Sequence, residues 1–173
     1  MHFGLVALLL PAALVAQTLA PRPVIAVRTG AFQDPVLTES SGVARSRTMP
    51  RVLFTINDSG NDPFVFAFDS SGRALGSWRV PGVGNRDWEA MSIGPCPVGS
   101  CLYLGDTGDN QEQRPAAVIY RMREPASFGR FRGAADATPL DLDSAIVQYP
   151  DGPHDVEAFW VGDDGSLTLV SKG

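Results

Sequence analysis

Residues 85–110 read NRDWEAMSIGPCPVGSCLYLGDTGDN, two acidic clusters joined by two short apolar runs that flank a pair of cysteines. The same plan recurs on either side. Asp87-Trp88-Glu89-Ala90-Met91-Ser92 precedes Leu102-Tyr103-Leu104-Gly105-Asp106-Thr107-Gly108-Asp109-Asn110, just as Glu39-Ser40-Ser41-Gly42-Val43-Ala44 precedes Val52-Leu53-Phe54-Thr55-Ile56-Asn57-Asp58-Ser59-Gly60-Asn61-Asp62. A later copy runs Asp155-Val156-Glu157-Ala158-Phe159-Trp160 and then Leu167-Thr168-Leu169-Val170-Ser171-Lys172. With Ser41, Glu89 and Glu157 aligned, the offsets are 48 and 68 residues, a spacing that points to repeated supersecondary units.

Within each unit, β-branched and aromatic runs are separated by Gly, Asp, Asn and Pro turns, and no stretch has the period of a long amphipathic helix. Strands are expected at 41–45, 52–57, 64–69 and 74–80, then at 88–93, 102–105, 117–122 and 145–149, and last at 156–161 and 166–171. In 64–69, Phe64, Phe66 and Phe68 alternate with Val65 and Ala67, so both faces are apolar, as in a strand buried between two layers. The expected fold class is all-β: a β-propeller fragment of about two and a half four-stranded antiparallel blades. Its divisions are a signal peptide (1–20), an N-terminal segment with one outlying strand at 24–27 (21–38), blade 1 (39–82), blade 2 with a loop insertion at 127–139 (83–150) and an incomplete blade 3 (151–173). Closed propellers use about four to eight blades, so missing blades or self-association are expected.

The apolar run 3–16, broken by Pro11 and followed by Thr18-Leu19-Ala20, reads as a secretory signal, which places the mature chain outside the cell or in the periplasm. No second run has the length of a membrane span. A formal charge of -5 argues against nucleic acid as a partner. Cys96 and Cys101 bracket Pro97-Val98-Gly99-Ser100 between two strand-like runs, the spacing of a disulfide across a hairpin loop in an exported protein.

In a meander, alternate connections share one edge of the sheet. The entry to each first strand and the loop between second and third strands therefore fall together, and the cysteine loop falls at the opposite end. That edge collects Asp87, Glu89, Asp106, Asp109, Asp155 and Glu157 as candidate metal ligands. Clustered carboxylates repel unless protons or a cation neutralise them, and an all-oxygen set without thiolate or imidazole suits calcium. Arg86, Asp58, Asn110, Arg114, His154 and Lys172 lie near the same edge as candidate ligand-binding residues, the cations being suited to a phosphate or carboxylate. Structural roles account for the same residues: Asp, Asn and Gly favour turns, Asp87 and Glu89 can clamp adjacent blades, and the cations can simply pair with the acids.

The Asn85-Arg86-Asp87-Trp88-Glu89 and Gly105-Asp106-Thr107-Gly108-Asp109-Asn110 pair, followed by Tyr120-Arg121-Met122-Arg123-Glu124-Pro125, resembles a group of exported bacterial β-propeller proteins, most of them uncharacterised. The resemblance covers about residues 39–172. More distantly, the chain is similar to phytase-like esterase and gluconolactonase-like propellers, which implies calcium near a central channel. Three functions fit these expectations: a non-catalytic calcium-dependent binder of a small anion, glycan or protein; a calcium-dependent phosphoester or ester hydrolase in a full-length form; and a truncated product without independent function. Enzyme status stays open, because no nucleotide-binding motif, haem attachment or serine elbow is present.

Overall fold

A computed structural model describes residues 24–125 and 142–172, so the expected signal peptide (1–20) and the expected loop insertion (127–139) lie outside the described residues. The chain forms ten strands and, among the described residues, no helix. They are β1 (Ser40–Arg45), β2 (Val52–Asn57), β3 (Phe64–Asp69), β4 (Ala74–Arg79), β5 (Trp88–Pro95), β6 (Ser100–Asp106), β7 (Ala117–Arg123), β8 (Asp143–Val147), β9 (Val156–Val161) and β10 (Leu167–Ser171). Three antiparallel sheets result, ordered β1-β2-β3-β4, β5-β6-β7-β8 and β10-β9. Successive meanders of this kind are compatible with part of a β-propeller.

The sheets stack through their first strands. Phe54, Ile56, Val65, Ala67 and Trp78 from the first sheet share one buried cluster with Met91, Leu102, Leu104 and Met122 from the second. Ala90 and Ile119 form another with Phe159 and Val161 of the third. β3 is buried along its middle four residues, because Val65, Phe66, Ala67 and Phe68 have no exposed surface on either face. Each such large side chain is worth about 2 kcal/mol of transfer free energy. Gly42 lets β1 approach β5: a Cβ there would lie 2.6 Å from the Met91 nitrogen, inside contact distance.

One register feature repeats. In β1, Ser40 faces Asn57 and Gly42 faces Ile56; in β5, Trp88 faces Asp106 and Ala90 faces Gly105; in β9, Val156 faces Ser171 and Ala158 faces Val170. Ser41, Glu89 and Glu157 are therefore the extra residues of three equivalent β-bulges, the very positions aligned in the sequence. A bulge disrupts the ladder locally and re-aims its side chain, which the alternation of a regular strand could not have told.

Two expectations need correction. Residues 24–27 form no strand: Val24, Ile25 and Val27 are exposed, and the segment touches the sheets further on, through a parallel bridge of Gln33 to Arg73 and stacking of Phe32 on Phe68 at 4.4 Å. The fourth strand of the second sheet runs Asp143–Val147 rather than 145–149, since Asp143 pairs with Arg121 of β7 at 2.6 Å and Tyr149 turns away to meet the His154 ring edge at 5.1 Å.

Candidate metal centre

The acidic edge is assembled by backbone anchors. Asn57, buried at the end of β2, accepts from the Thr38 and Glu39 amides at 3.0 and 3.1 Å and donates to the Val36 carbonyl at 2.8 Å, tying the entry connection to the β2–β3 loop. The Asn85 side chain spans to the same loop, donating to the Asn57 and Asp58 carbonyls at 3.1 and 2.7 Å and accepting from Trp88 N at 3.0 Å. Trp88 itself is fully buried, so Asp87 and Glu89 on either side of it are fixed in position.

The result is a triad from three places in the chain. One carboxylate oxygen each from Asp58, Asp87 and Glu89 lie within 4.8 Å of one another. All three side chains are half-buried, and none makes an ion pair among the described residues. The Gly108 backbone packs against two of them: a Cβ at that position would lie 2.5 Å from Asp87 Oδ2 and 2.8 Å from Glu89 Cγ. Partial burial, followed by the charges of Asp58, Glu157, Asp87 and Asp155, pushes the Glu89 carboxyl up to about 7. Burial also raises Asp87, reinforced by the charges of Asp58 and Asp155 and opposed by a hydrogen bond from Ser59 and by the charge of Arg114. The triad thus has the electrostatics of a site short of a cation.

The nearby cations make their direct ion pairs with other acids. Arg114, buried, pairs with buried Asp106 at 2.8 Å and donates to the Gly108 carbonyl at 2.7 Å. Asp106 also accepts from the Arg86 and Asp87 amides at 3.3 and 3.2 Å, so it orients the Asp87 backbone. Asp109 accepts from Arg114 N at 2.6 Å and donates its own amide to Asp155 at 2.8 Å. Lys172 lies 2.8 Å from Glu157 and 3.7 Å from Asp155.

Of the six expected metal ligands, the structure brings Asp87 and Glu89 together. Asp155 and Glu157 lie close enough to act on Glu89 electrostatically, and Asp106 and Asp109 belong to the supporting network around Arg114. Asp58, read from sequence as ligand-binding, is the third member of the triad. Its signal was its place at the start of the loop after β2, where its amide donates to the Glu39 carbonyl as that of Thr107 does to Asp87 in the second unit. Arg86, Asn110 and Arg114 line a polar cleft of about 260 Å³ with Asp87, Gly108 and Asp109. His154 pairs instead with Asp151 at 2.9 Å. At the other end of the second sheet, Cys96 and Cys101 form a disulfide with Cα atoms 5.4 Å apart. Buried Glu124, which sequence reasoning passed over, accepts there from the Ser46 and Ser100 hydroxyls and from Thr48 N at 3.3 Å, joining the first sheet to the second.

The donor set fits a hard cation. Ligand oxygens about 2.4 Å from a calcium ion stand at most about 4.8 Å apart, and carboxylates with water or carbonyls complete such a shell. No helix among the described residues is long and apolar enough to cross a membrane. A scan against models of protein families finds no match, and searches of curated proteins and of solved structures find none either.

Proposed function

We propose that the protein is an exported β-propeller-type binding protein whose Asp58, Asp87 and Glu89 hold a calcium ion. The observation that carries this reading is the unpaired triad, with Glu89 pushed up to about 7 while Asp106, Asp155 and Glu157 all have cations beside them. The cleft lined by Arg86, Asn110 and Arg114 opens beside Asp87 and supplies the polar surface on which a small anion, a glycan or a protein loop would rest. Calcium bound there joins the β2–β3 loop of the first sheet to the first strand of the second, so it stiffens the edge that meets the ligand.

Thermal melts at fixed protein concentration with calcium, magnesium or chelator test the reading. A melting temperature that rises with calcium by the mass-action relation supports it; identical melts in all three conditions contradict it. The hydrolase alternative has one observation in its favour, since a carboxylate titrating near neutrality suits a general base. It predicts calcium-dependent turnover on phosphate or carboxylate esters that is lost in Glu89→Gln, whereas the binding reading predicts none.

A further inference from the structure

The cleft beside the triad belongs to the second sheet, which has another sheet packed on each side of it. Its walls are the connection entering β5 and the loop after β6, and it holds about 260 Å³. No apolar side chain lines it; its exposed groups are the Arg86 guanidinium and the carboxamides of Asn110, Gln111 and Gln113. Most small-molecule sites are lined by hydrophobic and aromatic side chains, so a ligand with an apolar face gains little here.

The exposed groups are also uncommitted. Along this edge Arg79, Arg114, His154 and Lys172 each meet an acid, at 3.2, 2.8, 2.9 and 2.8 Å, whereas Arg86 pairs with none among the described residues. The three carboxamides make no hydrogen bond among the described residues either. A carboxamide both donates and accepts, as a hydroxyl does, which suits a ligand rich in hydroxyls. One unpaired guanidinium beside Asp87 and Asp109 suits a single carboxylate better than a phosphate, which brings about two negative charges.

The cleft and the triad share Asp87, and Gly108 packs against both Asp87 and Glu89. Calcium takes about six to eight oxygens, so an ion held by three carboxylates keeps positions for oxygens of a ligand. We infer, on the calcium reading above, that the cleft takes a uronate: its carboxylate spans Arg86 and the calcium ion, and its hydroxyls exchange hydrogen bonds with Asn110, Gln111 and Gln113. The uronate comes as a free sugar acid or as the exposed end of an acidic glycan.

Titration calorimetry on the calcium-saturated chain tests this with galacturonate, galactose, acetate and glycerol phosphate. Galacturonate is expected to bind at least about tenfold more tightly than each of the others, because only it combines one carboxylate with ring hydroxyls. Chelator is expected to abolish that binding, and Arg86→Gln to weaken it about tenfold with calcium still bound. A galacturonate oligomer that binds more tightly than the monomer assigns a glycan end, and equal affinity assigns the free sugar acid. Calcium binding without galacturonate binding, or equal affinity for any of the other three probes, overturns the inference and leaves the calcium site standing. Galacturonate binding that survives chelator or Arg86→Gln undiminished overturns it as well. A folded chain that binds no calcium removes the inference together with the reading on which it rests.

Discussion

Glu157 holds Lys172 at 2.8 Å, whereas Glu89, at the equivalent bulge one unit earlier, has no cation and stands among Asp58, Asp87 and Asp155. The same backbone device therefore serves two ends: an ion pair in the third sheet and a charge-deficient site in the second. Lys172→Ala should remove the contrast. With Glu157 unpaired, repulsion on Glu89 rises, and calcium affinity is expected to increase about two- to fivefold, read by titration calorimetry at low salt.

The Asp106–Arg114 pair is buried on both sides and holds the Arg86 and Asp87 amides as well. Asp106→Asn keeps the shape but strands the guanidinium charge. A loss of about 3–5 kcal/mol is expected in urea unfolding, well beyond what an exposed pair such as Arg47–Asp163 would show.

Much of this was legible in the sequence. Alternating apolar runs and Gly/Asp turns marked all ten strands of the sheets to within about two residues at each end, because turn chemistry and side-chain period are local properties. The shared edge of Asp58, Asp87, Glu89, Asp155 and Glu157 followed from the reversal of a meander. What the sequence could not assign was which acid pairs with which cation. Asp58, Asp87 and Asp106 all sit in or beside polar turns of similar composition; burial of Arg114 and its reach to Asp106 are tertiary outcomes. The strand expected at 24–27 fails for a related reason, since β-branched residues without a neighbouring edge have nothing to pair with.

Protonation gives a pH signature. In the calcium-free fold the Glu89 carboxyl is raised to about 7 from its ordinary 4.5, so between these values the folded chain binds more protons than the unfolded one. Stability then falls as pH rises from about 4.5 to about 7. Saturating calcium, which favours the ionised form, should flatten or reverse that slope in thermal melts followed across the interval. Glu89→Gln should flatten it without calcium.

Gly108→Ala places a methyl group against Asp87 and Glu89. Calcium affinity is expected to drop about tenfold or more, with a stability loss of about 1–3 kcal/mol from the forced shift. Calorimetry and urea unfolding on the same preparation separate the two effects.

The Cys96–Cys101 disulfide lies at the far end of β5 and β6 from the triad. Its short loop gives a chain-entropy contribution of about 2 kcal/mol. Cys96→Ser with Cys101→Ser should lower urea stability by about that amount and leave calcium affinity unchanged.

The most direct test of the central claim is a calcium titration by isothermal calorimetry on the chelator-stripped wild-type chain and on Glu89→Gln, both verified as folded. The triad predicts saturable binding of one ion per chain, with a Kd between about 10⁻⁷ and 10⁻³ M, weakened at least about tenfold by the substitution. Absence of binding by folded wild type, or equal affinity in the two proteins, would contradict a calcium site at Asp58, Asp87 and Glu89.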